Sequence, residues 1–427
     1  MEFPIVFWFK ESAKISTYIY AIVAGPYDFY ESIVEGLPPM RIYARKTLKE
    51  DINHKEMFLV TQCGMKYYKE LFGKPYPFAK YDQVFVPEHN AGAMENVGCV
   101  TYNEIYLYRG QNPSLAKRLR FSITVLHELA HMWFGNLVTM KWWDDLWLNE
   151  SFATYMSFLA MSEIPEISYF NTVWATFLRY KFWGISTDQM SSTHPICCEI
   201  NNTDEAESLF DGISYGKGSA WLKQVYNVLG YDVIKIGLHQ YFEKYQWQNT
   251  TLPDFVGCLQ EAYEKSENKS MGEEFNFTEW CDSWLNTSGI NILEPVIEYE
   301  NDMIKSLHIK QSCDLRGKNR LRKQKLNVAF YDDSMKPTFV NDIIISDKNP
   351  LTKVDVPQIS MIKAVIINHG DHAYAKVRYD SKTLKCFEDN LHKVDDYLER
   401  FLVWRHLWNL VMDAKMSSLQ FFNFVVK

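Results

Sequence analysis

Apolar and polar positions along this chain follow two periods, and the dominant one changes with position. Ser16-Thr17-Tyr18-Ile19-Tyr20-Ala21-Ile22-Val23 and Met40-Arg41-Ile42-Tyr43-Ala44 alternate, which predicts strands within about 15–45. From about 54 to 72 apolar residues recur at helical spacing, and Gly73-Lys74-Pro75-Tyr76-Pro77 ends the run. Strands are expected at 83–86 and 98–106. A helix follows, with Asn112 as N-cap and Pro113 in the first turn. Gly135-Asn136 separates it from a second helix at about 145–161. Further helical patterns cover about 165–183, 216–229, 232–246, 252–265 and 276–286. From about Ile292 short alternating runs take over, at 303–310, 325–331, 359–368 and 373–379, with Asn368-His369-Gly370-Asp371 as a turn. They predict a small antiparallel sandwich. After Asp380 the pattern is helical again.

These elements make an α+β multidomain chain. Its 427 residues, 47% of them hydrophobic, are enough for a large core. The net charge of −8 gives no reason to expect nucleic acid or an anionic membrane as partner. The basic cluster Arg316, Lys318, Arg320, Arg322, Lys323 and Lys325 lies between strand-like runs and is expected to be a solvated loop. Eight cysteines show no CxxC pair and no zinc-ribbon spacing. Scattered thiols point to a reducing, cytoplasmic setting. The first ten residues lack a basic segment and a small-residue cleavage site, and no run of about twenty apolar residues occurs.

The chemistry concentrates in Val125-Leu126-His127-Glu128-Leu129-Ala130-His131-Met132-Trp133. This is an HExxH pattern, and Glu150 follows His131 after eighteen intervening residues. Histidines at i and i+4 leave one helix face about 40° apart, so both rings reach one tetrahedral Zn2+. Glu128, on the flank of that face, can take a proton from a metal-bound water without binding the metal. A catalytic zinc needs a third protein ligand and one open position, and Glu150 is the candidate. The apolar helical flanks and this third carboxylate distinguish the pattern from a chance HExxH. In Asn90-Ala91-Gly92-Ala93-Met94-Glu95-Asn96, small residues let a substrate backbone come close, and an extended segment there can take a peptide as an added strand. Glu95 would set a fixed negative charge at one end of the cleft and select a free α-ammonium. A turn with a solvated glutamate is the other reading of those residues. Tyr215, in Tyr215-Gly216-Lys217-Gly218, can hydrogen-bond a developing oxyanion, or it can be half-buried packing.

Together the HExxH with Glu150, Gly92-Ala93-Met94-Glu95-Asn96, Trp142-Trp143-Asp144-Asp145-Leu146-Trp147-Leu148-Asn149-Glu150 and Tyr215-Gly216-Lys217-Gly218 resemble the aminopeptidase N family of zinc metallopeptidases, a gluzincin family. The resemblance runs through nearly the whole chain. It implies an aminopeptidase that releases single N-terminal residues from peptides by metal-activated water. By resemblance, one Zn2+ per chain is bound by His127, His131 and Glu150, and Glu128 is the general base. Tyr215 stabilises the oxyanion. Gly92, Ala93, Met94, Glu95 and Asn96 bind substrate, Glu95 holding its free N-terminus. The implied fold is a thermolysin-like, mainly helical catalytic domain with a small sheet at 45–290. A β-sandwich at 291–379 and the start of a C-terminal helical domain at 380–427 follow, and 1–44 are residual strands of an N-terminal β-domain.

Family members have a fuller β-domain before and a larger helical domain after, so this chain is expected to be a fragment, a short isoform or a truncated gene product. A lost signal or anchor would then change the cytoplasmic expectation. The acidic contact that the N-terminal domain adds at the substrate amine has no counterpart here. Uncovered faces at Tyr18, Tyr20, Ile22 and Val23, and at Phe401, Leu402, Trp404, Leu407, Trp408, Leu410 and Val411, are expected to promote self-association. Three other functions compete: a thermolysin-type endopeptidase, a catalytically silent interaction protein, and an epoxide hydrolase, which would need a lipid tunnel.

Overall fold

The computed structural model describes residues 6–427 apart from 110, 111, 169, 269, 302, 314–319, 359 and 360. By its contacts the chain divides into two compact units, Met1–Lys141 with His239–Thr251, and Trp142–Leu238 with Leu252–Lys427.

The first unit is built on five strands: β1 (Tyr27–Ser32), β2 (Met40–Arg45), β3 (Tyr81–Val86), β4 (Ala93–Met94) and β5 (Val100–Asn103), in the order β1-β2-β3-β5-β4. β2, β3 and β5 run parallel, and β1 and β4 pair antiparallel at the two edges. Central β3 buries Tyr81 to Phe85 without a break, as a strand covered on both faces does. Residues 16–23 are not the expected strand. They hold a 3-10 turn, Thr17–Ile19, in which Ile19 is buried while Tyr20 and Ile22 stay exposed. The alternation there has no sheet face to serve.

Helix α1 (His54–Phe72) keeps its predicted span, because Gly73 takes φ 71°, a left-handed cap that costs glycine nothing. It packs on α2 (Leu115–His131), with bare Gly64 against the side chains of Leu126 and Leu129. A Cβ on Gly64 would stand 2.5 Å from Leu126 and 2.9 Å from Leu129. α2 is capped not by Asn112 but by Ser114, whose hydroxyl accepts from the Lys117 amide at 3.3 Å. Beyond α2 the chain turns at Gly135 (φ 125°), and β6 (Thr139–Met140) pairs in parallel with β7 (Asn249–Thr250).

The second unit opens with helices α3 (Leu146–Glu163), α4 (Val173–Asp188), α5 (Thr203–Ser208), α6 (Gly218–Leu229) and the first half of α7 (Tyr231–Tyr245). Helices α8 (Leu252–Glu264) and α9 (Phe277–Leu285) follow. α3 buries every residue from Leu146 to Met161, so it runs inside the core. Two sheets come next, from β8 (Asn291–Glu300), β9 (Met303–Cys313), β10 (Gln324–Tyr331), β11 (Pro337–Ile345), β12 (Leu351–Val354), β13 (Ala364–His369) and β14 (Ala375–Val377). Their orders are β12-β9-β8-β14 and β11-β10-β13, and one apolar cluster joins them through Leu307, Ile309, Val328, Phe330 and Ile367. β14 joins β8 in parallel, so the sandwich is mixed rather than wholly antiparallel; a period of two serves both orientations and cannot tell them apart. Helices α10 (Ser381–Asn390), α11 (Tyr397–Met412) and α12 (Ser418–Val426) close the unit. Val403 and Leu407 of α11 enter the sandwich cluster, while Trp408 is 45% exposed.

Of the basic cluster, Arg316 and Lys318 lie outside the described residues. Arg322 is not the solvated side chain expected, being 1% exposed. Its guanidinium donates to the carbonyls of Ser283, Thr287, Ser288 and Gly289 and to Asn291, and stacks over Trp284. Five fixed donors suit the carbonyls left at the end of a helix, a demand that a count of charges does not reveal. All eight cysteines are free. Among the described residues no helix is long and apolar enough to cross a membrane.

Candidate metal centre and substrate-binding elements

α2 is fixed by its neighbour before its own chemistry begins. The Tyr68 hydroxyl of α1 donates to the Leu126 carbonyl at 3.1 Å, one residue before His127, and the contact at Gly64 clamps the same turn. His127 is half-buried, and Glu128 and His131 are buried. The two imidazoles lie with centroids 4.7 Å apart and planes at 83°. His131 Nδ1 stands 3.2 Å from the Phe134 carbonyl, which can only accept. Nδ1 therefore carries the proton, and Nε2 presents a lone pair. That Nε2 faces His127 Nε2 at 3.1 Å. Glu128 also adds its charge to the surroundings of Tyr102, whose hydroxyl is pushed well above its ordinary pKa by burial first and by this carboxylate second.

Glu150 sits in the first turns of α3. Trp142 Nε1 donates to the Ile200 carbonyl at 2.8 Å, and Asp145 Oδ2 accepts from the Leu252 amide at 2.9 Å, so the approach to α3 is pinned twice. Burial pushes the Asp145 carboxyl up to about 6. Among the described residues, His127, His131 and Glu150 form a group whose ligand atoms all lie within 4.8 Å of one another. The donor set fits zinc. Two imidazoles at Zn–N distances of about 2.0–2.1 Å in a tetrahedron would stand about 3.3 Å apart. The observed 3.1 Å is close to that, and two nitrogens with a carboxylate match a catalytic rather than a structural zinc set.

The stretch 92–96 begins at the edge strand β4, where Ala93 and Met94 pair with Tyr102 and Thr101 of β5. Gly92 is exposed, and a Cβ there would stand 3.1 Å from the Tyr106 hydroxyl. Glu95 is 5% exposed rather than solvated. Its Oε1 accepts from the Tyr18 hydroxyl at 3.2 Å, and its carbonyl accepts from Asn136 Nδ2 at 2.8 Å. Asn136 follows the HExxH helix, so this loop and the ligand helix are tied in one unit. Asn96 Nδ2 donates to Thr101 Oγ1 at 3.2 Å, which braces the loop from within.

Tyr215 lies on a π-helical turn, Ile213–Lys217, ahead of α6. Its ring is half-buried, stacked on Trp183 at 6.1 Å and 18° and tilted against Phe210 at 6.2 Å. Ser151, next to Glu150, donates its hydroxyl to the Ser214 carbonyl. Gly218 allows this approach, since a Cβ there would stand 2.0 Å from Ser151 Oγ. Asp211 caps the turn, with Oδ1 accepting from the Ile213 and Ser214 amides at 2.8 and 3.1 Å. His194 holds the other oxygen of Asp211 at 3.0 Å, and that contact raises the imidazole to about 10. Tyr18, Asn136, Ser151, His194 and Asp211 escaped sequence reasoning as site residues. An aspartate two residues before an Ile-Ser-Tyr-Gly run was the one local signal, as a cap.

A family model described as the peptidase family M1 domain matches residues 57–284. Aminopeptidase N of Streptomyces lividans is 36% identical over 99% of this chain and 49% of its own length. Aminopeptidase M1-D of Oryza sativa subsp. japonica is 40% identical over 60% of this chain and 29% of its own. Tricorn protease-interacting factor F2 of Thermoplasma acidophilum is 34% identical over 96% of this chain and 48% of its own. The chain thus spans about half the length of the curated relatives that match it end to end.

Proposed function

Because this chain belongs to peptidase family M1, we propose that it is a zinc aminopeptidase that removes single residues from the free N-terminus of peptides. The observation that carries the reading is the convergence of His127, His131 and Glu150, with the His131 tautomer already set by the Phe134 carbonyl. Relatives named as aminopeptidases support it. When bound, zinc supplies a Lewis acid that polarises the scissile carbonyl and acidifies water.

The residues of the chain do the rest. Glu128 accepts the proton of the attacking water and passes it to the leaving amine. Glu128 is buried, so bulk water has little access to its carboxylate. The buried Glu95 carboxylate binds the substrate α-ammonium as a charge-assisted partner. The half-buried edge strand at Ala93–Met94 pairs with the extended backbone of the peptide, and Gly92 leaves it room. The Tyr215 hydroxyl donates to the oxyanion, a bond that gains strength only as charge develops.

The test is turnover of aminoacyl fluorogenic substrates by the metal-loaded protein, with free and N-acetylated peptides compared, before and after chelation. Free amines should be cleaved, acetylated ones spared, and chelator should abolish both rates. Acetylated peptides cleaved as fast as free ones would replace this reading with an endopeptidase.

A further inference from the structure

Lys217 stands two residues after Tyr215 on the same π-turn, in a place where a lysine is costly. Its side chain is 1% exposed, and its ammonium lies 2.9 Å from Asp188 Oδ2 and donates to the Thr287 carbonyl at 3.1 Å. Asp188 is the last residue of α4 and has no exposed side-chain surface. Its Oδ1 accepts from the Gly289 amide at 2.6 Å and from Thr193 Oγ1 at 2.7 Å. Two charges taken out of water recover little net stability compared with a well-packed apolar pair. Burial pushes the ammonium down to about 8 against the pull of Asp188. A pair retained at such cost is best explained by what it holds in place.

What it holds is the winding of the turn. Ser151 and Ser219 donate their hydroxyls to the Ser214 and Tyr215 carbonyls, and the other contacts of the turn are close approaches of backbone. A Cβ on Gly216 would stand 2.2 Å from the Tyr180 carbonyl, and one on Gly184 would stand 2.6 Å from the Lys217 amide. Those contacts fix where the backbone lies against α4. Asp211 pins the first residues of the turn, and Lys217 pins the last. Tyr215 lies between the two, its ring against Trp183 and Phe210. An i→i+5 turn is uncommon and sits close in energy to its α-helical alternative, which would rotate the phenol.

We propose that the buried Lys217–Asp188 pair positions the Tyr215 hydroxyl, by holding the π-turn in the winding that aims it. The inference rests on the oxyanion reading of Tyr215. A shift of about 1 Å at such a group costs up to about a hundredfold in rate. The chain should be compared with Lys217→Met/Asp188→Asn, in which the asparagine oxygen still accepts from Gly289 and Thr193, with Tyr215→Phe, and with all three changes combined. Expected for the pair variant are native zinc content, KM within about twofold, and kcat lower by about tenfold to a hundredfold. Affinity for a phosphonate mimic of the tetrahedral intermediate should fall by the same factor. In the Tyr215→Phe background the pair variant should cost nothing more. Native kcat in the pair variant, with Tyr215→Phe impaired, overturns this inference and leaves the oxyanion reading standing. Losses that multiply in the combination overturn it too, because Lys217 then acts elsewhere. Native kcat in Tyr215→Phe removes both. If the pair variant is recovered unfolded, Asp188→Asn alone, which removes the charge that holds Lys217 while its oxygen still accepts from Gly289 and Thr193, carries the same comparisons.

Discussion

Two acceptors matter to the chemistry proposed for α2, the Phe134 carbonyl behind His131 and the Glu128 carboxylate. They separate by mutation. His131→Ala should lose zinc and activity together, because one of the three proposed ligands is gone. Glu128→Gln should keep stoichiometric zinc while kcat falls by about two to four orders of magnitude, since the amide accepts no proton. Metal analysis beside steady-state kinetics checks both, and near-native kcat in Glu128→Gln would force the base to be reassigned. At this scale the shared face of His127 and His131 was legible, because their spacing is set within one turn of one helix. Tyr18 was not. It read as an uncovered apolar residue, yet it donates to Glu95 across 77 positions, and no local pattern encodes a contact of that range.

Among elements, α1 was legible because a 3.6-residue apolar period and a glycine stop coincide on it. The turn at Ile213–Lys217 was not, because a π-turn needs tertiary partners that a sequence window does not contain. Its dependence on missing side chains makes a direct test. Gly216→Ala would drive a Cβ to 2.2 Å from a backbone oxygen and should destabilise the second unit by about 1–3 kcal/mol or more. Gly257→Ala is the control. It lies exposed in α8, where a Cβ meets nothing within 4 Å, and should stabilise by about 0.5–1 kcal/mol. Urea unfolding of the two variants reads the contrast, and equal effects would mean that the close packing of the turn is unimportant.

The whole molecule answers to pH through groups far from the ligands. Burial lowers His372 to about 4 and His406 to about 3, against 6.5 when unfolded. Between pH 6.5 and 4 the unfolded chain therefore binds protons that the folded chain refuses. Stability that is full above 6.5 is lost as pH falls, by up to about 1.4 kcal/mol per pH unit for each histidine. Urea midpoints for the native chain and His406→Gln should approach each other on acidification, and curves that stay parallel would contradict this. The sequence showed these histidines but not their burial, which comes from the turn at 368–371 and from α11. Nor did it show that the chain revisits its first unit at His239–Thr251, since α7 carries no mark where the contacts change hands.

The bare contact at Gly64 has a consequence for how this protein would look to genetics. The residue touches no ligand and lies far from the HExxH in sequence. Yet it backs onto Leu126, immediately before His127, where a methyl group would force the Leu126 and Leu129 side chains to shift. A random-mutagenesis screen scored by metal retention would return Gly64 beside His127 and His131. Its phenotype would imitate a lost ligand, and only the geometry would reveal a helix pushed off its seat.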